Sequence, residues 1–315
     1  MISVVICTYN RADLLVDCLK SVARQSISKE KYEVLIIDNN SLDDTRAVAE
    51  WFSARYSNMH VFSEVRQGLS HARNRGWLEA RGEYIAYIDD DCKVPSGWVS
   101  MAIGIIKNHH PSVFGGPFYP FYRSGKPRWY KDKYGSYSID DQARRLTEHE
   151  FLFGGNIFFK RATLELLGGF SPELGMKGDR LGYGEEIALL KKLYAFYPYE
   201  KVYYHPGLFL FHLVRREKMY WPWIIKHRFI TRRYAYRVNA GTPKVDIRFF
   251  PFVKKMSMIL LRLFFETYAG LVKRDRNRYP YYQNYLFEYA LRNVDRLGWT
   301  FEQYKMSKNN DVSEC

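Results

Sequence analysis

Residues 2–6, Ile-Ser-Val-Val-Ile, form a β-branched apolar run that gives way to Thr8, Tyr9 and Asn10. From Arg11 the spacing changes, and Leu14, Leu15, Cys18, Leu19 and Val22 recur at three- and four-residue intervals. The first pattern predicts a strand buried on both faces, the second an amphipathic helix. The alternation repeats as YEVLIID before LDDTRAVAEWFSARY, as MHVFSEV before GLSHARNRGWLEAR, and as EYIAYIDDD before SGWVSMAIGIIKNH. Continuous apolar strands alternating with helices predict an α/β fold with a mostly parallel sheet covered by helices on both faces. Ligands of such sheets bind in the crevice beyond the carboxyl ends of the strands, where Thr8, Asp38 and the run Asp89, Asp90, Asp91 all fall. Three adjacent carboxylates repel one another. A solvated turn tolerates them, but a divalent cation neutralises them, and clustered hard oxygen ligands suit Mg or Mn. Three strand ends presenting polar groups to one crevice favour the cation.

Further along, GGNIFFKRATLELLGGF reads as a glycine-bounded strand running into a helix. Gly154, Gly155 and Asn156 would let backbone approach a ligand closely, with a bulge or tight turn as the plainer alternative. In GYGEEIALLKKL, Gly182 and Gly184 lead into a helix that starts at Glu185 and Glu186 and carries Ile187, Leu190 and Tyr194 on one side. Acidic residues in a first turn complement the helix dipole and need no further role. His205 and His212 lie in YYHPGLFLFHLVRRE, where packing is the ordinary use of a lone histidine.

After His212 the pattern changes again. Between Arg215 and Arg237, Arg215, Arg216, Lys218, Lys226, Arg228, Arg232, Arg233 and Arg237 alternate with Tyr220, Trp221, Trp223, Phe229, Tyr234 and Tyr236. FFPFVKKMSMILLRLFFETYAGLVKR is apolar but broken by Lys255, Arg262 and Glu266, so it predicts an amphipathic helix too interrupted to span a bilayer. The final MSKNNDVSEC is polar and is expected to fray.

The 315 residues could fold as one large α/β domain or two smaller ones, and a net charge of +14 calls for an anionic partner: nucleic acid, an anionic membrane surface or a phosphorylated substrate. Cys7, Cys18, Cys92 and Cys315 have neither metal-ligand nor disulfide-framework spacing, which predicts reduced thiols in the cytosol. No basic leader precedes Ile2, and no uncharged apolar run approaches 18 residues, so neither a secretory signal nor an ordinary membrane span is expected. CTYNRADLL contains no glycine. That disfavours both the dinucleotide fingerprint and the phosphate loop, and leaves a bound nucleotide's charge to a metal on the aspartates.

Taken in order, VVICTYNRADLLVDCLKSV, VLIIDNNSLDDT, GLSHARNRG, YIAYIDDDCKVPSGWV, FGGNIFFKRATLELLGGFSPELG and GYGEEIALLKKL resemble the inverting family 2 glycosyltransferases of GT-A fold, through about His212. The resemblance implies transfer of a sugar from a nucleotide donor, uridine-linked by family frequency, with Mn or Mg at the aspartates. It implies that residues 1–100 form the nucleotide-sugar half of the domain, 101–212 the acceptor half, and 213–315 a basic, aromatic, mostly helical extension. It sets Thr8, Asp38 and Arg73 around base and ribose, Asp89 and Asp90 beside the donor, and Asp91 with His212 on the metal, His205 being the lesser candidate. The family's acidic pair is usually Glu-Asp with its second member the base. Here it is Glu-Glu, so Glu186 is the base by position and Glu185 its acceptor-hydroxyl or structural partner. The plainer roles stay open: Asp38 as a helix cap, Arg73 on a solvated face.

A single displacement fits this set, since a leaving diphosphate needs a Lewis acid and the attacking hydroxyl needs one carboxylate base. The acceptor implied is a saccharide or lipid-linked saccharide in surface polysaccharide assembly, at the cytoplasmic face of the cell membrane, with the basic aromatic extension on anionic lipid. The apolar segment could equally pack on the catalytic domain or form a dimer. A nucleic-acid-binding module would use the interleaved cations and aromatics but leaves the acidic crevice unexplained. A sugar nucleotidyltransferase would use a similar sheet but opens with a glycine-rich loop, which is missing here.

Overall fold

The computed structural model describes residues 1–239 and 248–311, with no side-chain description beyond 308. Eleven strands are present among the described residues: β1 Ile2–Thr8, β2 Tyr32–Asp38, β3 Met59–Ser63, β4 Tyr84–Asp89, β5 Cys92–Lys93, β6 Val113–Gly115, β7 Phe118–Phe121, β8 Arg144–Arg145, β9 Asn156–Lys160, β10 Val202–Tyr204 and β11 Leu210–Leu213. The helices are α1 Ala12–Ala23, α2 Thr45–Ser53, α3 Leu69–Glu79, α4 Trp98–His109, α5 Arg161–Leu167, α6 Glu185–Phe196, α7 Trp221–Asn239, α8 Phe249–Lys273, α9 Tyr282–Tyr285 and α10 Arg292–Asp311. Two compact units divide the chain. One comprises Met1–Arg123, Asp132–Arg180 and Glu185–Val214, and the other takes Ser124–Lys131, Leu181–Gly184 and the chain from Arg215.

The first unit is built on an eight-stranded sheet in the order β3-β2-β1-β4-β9-β6-β10-β8 and a three-stranded sheet in the order β5-β11-β7. β3, β2, β1 and β4 run parallel, while β9 lies antiparallel between β4 and β6, so the sheet is mixed at its middle. The chain leaves β1 toward β2 and β3, then returns to its other side with β4, and that reversal opens a crevice at the carboxyl ends of β1 and β4. The helical stripe of α1 buries Leu14, Leu15, Cys18, Leu19 and Val22, the residues its spacing predicts, against β1, β2 and β4. On the opposite face, Val5, Leu35, Ile37, Ile85 and Tyr87 pack with Leu164, Leu167, Leu189, Leu190 and Leu193. The buried apolar side of α6 is therefore Leu189, Leu190 and Leu193; of the expected Ile187, Leu190 and Tyr194, Leu190 is buried and the other two are half-buried. The helix is turned so that Glu185, at the head of the row continued by Leu189 and Leu193, faces inward to an arginine.

In the second unit, cations of α7 turn toward α10. Arg233 and Arg237 bind opposite oxygens of Glu302, at 2.6 and 2.5 Å, and Arg228 pairs with Asp295. Glu302 is 1% exposed, so these pairs hold helices together and withdraw three of the cations that the sequence assigns to an exposed basic segment. The tail expected to fray is helical through Asp311, and Cys315 lies outside the described residues. No described helix is long and apolar enough to cross a membrane.

Candidate functional site

Register aligns the three strand ends: Thr8 lies opposite Asp38, and Cys7 opposite Asp89. Thr8, Asp38, Asp90 and Asp91 are buried. Asp38 Oδ1 accepts the N–H of Ser41 at 3.1 Å, so the carboxylate also shapes the turn after β2, the plainer role its position allowed. Beside it stands Asn39, unremarked in the sequence. Its Nδ2 donates to the carbonyls of Glu64 and Arg66, both at 2.8 Å, and its Oδ1 accepts from Gly68 N at 2.8 Å. One amide thus joins the end of β2 to the loop that starts α3.

The smaller sheet assembles the second wall. β11 runs antiparallel to β5 with His212 opposite Cys92, and Leu213 N donates to the Asp91 carbonyl at 3.0 Å. That pairing brings His212 Nε2 to 3.2 Å from Asp91 Oδ1. One candidate ligand atom from each of Asp89, Asp91, Cys92 and His212 lies within 4.8 Å of the others. His205 is elsewhere, its Nδ1 accepting from Gly207 N at 3.0 Å. Cys92 enters this group only through the strand pairing, since its spacing carries no ligand signal. Burial pushes its thiol well above the ordinary range, and a soft thiol suits Mn or Mg poorly. Two carboxylates and an imidazole suit those ions, with open positions left for oxygen ligands.

Arg11, which sequence reasoning passed over, spans the acidic run. Its Nη1 lies 3.3 Å from Asp90 Oδ1 and 3.4 Å from Asp91 Oδ2. Burial pushes Asp90 up to about 7, with Arg11 opposing the shift and Asp91 adding to it. The available signal was a lone cation just after the first strand, in CTYNR.

Arg73 is 4% exposed and ties the acidic run to α6. Nη1 donates to Glu185 Oε1 at 2.7 Å, while Nη2 donates to the Gly154 carbonyl at 3.2 Å and stands 3.7 Å from Asp89 Oδ1. Burial alone would weaken its charge, but Glu185, Asp89 and Glu186 outweigh burial and the net shift is upward. Gly184, at φ 90°, turns the chain into α6 so that both glutamates occupy its first turn. Glu185 takes Arg73. Each glutamate keeps a buried Oε2 with no hydrogen-bond partner, and burial, then the charge of Glu185, push the Glu186 carboxyl up to about 8, against the pull of Arg73.

Of the glycine-bounded group, Gly155 borders the acidic run most closely: a Cβ there would stand 2.5 Å from Asp89 Oδ2. Gly155→Ala is expected to displace Asp89 and destabilise by about 1–3 kcal/mol. A thermal melt identical to wild type would show that the added methyl group is accommodated without that displacement. Asn156 is completely buried, Nδ2 donating to the carbonyls of Pro117 and Leu208 at 3.1 and 2.7 Å and Oδ1 accepting from Trp98 Nε1 at 3.2 Å. Its amide is engaged within the protein, so it stands apart from the other expected acceptor residues.

A family model described as "Glycosyl transferase family 2" matches residues 3–168, more than half of the chain, and the chain belongs to that family. Glycosyltransferase AglE of Haloferax volcanii is 30% identical over 179 residues, 56% of this chain and 58% of the relative, so the chain spans less than two thirds of that protein. The GalNAc(5)-diNAcBac-PP-undecaprenol beta-1,3-glucosyltransferase of Campylobacter jejuni is 26% identical over 232 residues, 69% of this chain and 66% of the relative. Among solved structures, the mannosyltransferase PcManGT from Pyrobaculum calidifontis in complex with GDP-Man and Mn2+ superposes with a TM-score of 0.60 at 16% identity, covering 99% of this chain and 87% of that one. The fold is the GT-A type implied by the sequence resemblance, with C-terminal helices added.

Proposed function

We propose that the protein is a metal-dependent inverting glycosyltransferase that moves a sugar from a nucleoside-diphosphate donor, uridine by the family resemblance, to a saccharide or lipid-linked saccharide. The observation that carries this is the link Glu185–Arg73–Asp89, which joins the carboxylate pair heading α6 to the acidic run at the switch point of the sheet. A relative named for an undecaprenol-linked acceptor supports a lipid carrier, and a solved neighbour with GDP-Man and Mn2+ supports a nucleotide sugar with metal. The setting that follows is surface polysaccharide assembly at the cytoplasmic face of a membrane.

Asp91 and His212 would hold Mn or Mg, with Asp89 in reach. When bound, that ion supplies the Lewis acidity that stabilises the departing diphosphate. Thr8, Asp38 and Asp90 border the donor crevice. Glu186 accepts the proton of the acceptor hydroxyl as it attacks from the face opposite the leaving group, and its unpartnered oxygen is free to receive that proton. Glu185 and Arg73 position it. Gly154 and Gly155 admit the acceptor close to the backbone.

A panel of UDP-, GDP- and dTDP-sugars with Mn or Mg tests this by slow donor hydrolysis and by heat stabilisation. One donor should stand out, with metal required. Asp91→Asn should reduce metal-dependent nucleotide affinity by about tenfold or more while the fold is retained in circular dichroism, because a ligand is lost but no apolar core atom. Undiminished metal-assisted affinity in calorimetry rejects the metal role of Asp91.

A further inference from the structure

α8 is 25 residues long, and Gly270 is its one buried residue. Eleven of its large apolar side chains are more than 40% exposed, Phe250 at 82%, Phe264 at 65% and Phe265 at 63% among them. Phe250, Val253, Leu261, Phe264, Tyr268 and Leu271 follow at helical intervals with Ser257 in the gap, so the exposure forms one stripe about 32 Å long. The other side of the helix is held in the unit: Phe252 stacks on Tyr304 at 4.1 Å, Tyr285 Oη donates to the Glu266 carbonyl at 3.1 Å, and Asn293 Nδ2 donates to Glu266 Oε2 at 2.5 Å. The stripe is thus a fixed apolar surface of a kind that soluble monomers rarely leave uncovered.

Charge identifies what covers it. Residues 215–315 contain 21 Lys and Arg against 9 Asp and Glu, and so carry 12 of the chain's 14 net positive charges. A groove next to α8 is lined by Arg232, Lys255, Arg262 and Arg296 over Met258 and Trp299. Its one acid is Asp295, which is paired with Arg228 and stands 3.9 Å from Arg232, and Arg262 pairs with Glu266 at 2.7 Å while both of these groove arginines stay more than half exposed. A second copy of the same unit would bring like charges together at the rim of the stripe. An anionic bilayer offers apolar depth and negative headgroups in the same arrangement.

We infer that α8 lies in the plane of an anionic lipid bilayer, its apolar stripe at the boundary of headgroups and acyl chains, with the cations of the adjoining groove on the headgroup phosphates. This deepens the proposed function, on which it rests only for the need to meet a lipid-linked acceptor. It centres the membrane contact on α8 and leaves α7 only Arg232 at the groove, since Arg228, Arg233 and Arg237 of α7 are engaged inside the unit.

Sedimentation of the full chain with phosphatidylcholine vesicles, with and without 30 mol% phosphatidylglycerol, tests the inference. Wild type should sediment with the anionic vesicles only and release as salt rises. L261E/F264E and K255E/R262E should each lose association at least tenfold while keeping wild-type donor hydrolysis and circular dichroism. Failure of wild type to bind anionic vesicles overturns the inference, as do variants that bind like wild type. So does a dimer in sedimentation velocity that L261E/F264E dissociates without any vesicle association, or oligonucleotide binding in place of vesicle binding. Donor hydrolysis is read separately: its absence with vesicle binding intact sinks the proposed reaction and leaves the membrane contact standing.

Discussion

Glu186→Gln should lower sugar transfer by about 10² or more while donor and metal binding persist, because a general base is removed and no ligand is. The same substitution should make the protein more stable near neutral pH. Below about pH 4.5 the Glu186 carboxyl is protonated whether the chain is folded or not, and the substitution changes little. Between about 4.5 and 8 the unfolded chain ionises this group while the folded protein keeps it protonated, so wild-type stability falls as pH rises across that window. Gln carries no such linkage, and its advantage should grow to roughly 1 kcal/mol or more by pH 8. Thermal melts at pH 5 and pH 8 measure this, and an advantage that shrinks with pH contradicts the reading. Wild-type turnover should climb as pH rises through about 8, when the base ionises. Should Glu185→Gln, and not Glu186→Gln, abolish turnover with binding intact, the roles within the pair are reversed.

Arg73→Met is expected to carry the largest stability loss, about 3–5 kcal/mol, because it leaves the buried Glu185 carboxylate without its 2.7 Å partner and Asp89 without its nearest cation in α3. Adding Glu185→Gln should recover much of that loss, since the uncompensated charge goes with it. Denaturation of the two single variants and the double variant yields the coupling. If the double variant is as unstable as the sum of the single ones, the contact contributes only packing. Activity separates the stability role from the positioning role: a refolded Arg73→Met that binds nucleotide normally but transfers slowly would mark Arg73 as the group that orients α6.

Local patterning was decisive wherever a single element carried the information. The α1 stripe, the strands β1, β2, β4 and β9, and the start of α6 were legible because strand and helix periods depend on neighbours in the chain. The order of the six motifs marked the family, and with it Asp91, His212 and the pair at 185 and 186 as candidates. Tertiary structure decided which atoms meet. His212 reaches Asp91 only because β11 pairs with β5 in one register, and the same pairing admits Cys92, whose sequence position signals nothing. Glu185 and Glu186 have the same chemistry and adjacent positions, and each keeps a buried Oε2 without a hydrogen-bond partner; they diverge because the rotation of α6 gives the Arg73 ion pair to the first alone. Arg11 and Asn39 act through contacts far along the chain, and composition cannot separate such residues from solvated ones. The C-terminal third divides the same way. Its charge and apolar content could be counted from the sequence, but the burial of cations between α7 and α10 and the exposure of the α8 stripe follow from which helix faces pack together, a long-range choice that the local pattern leaves open.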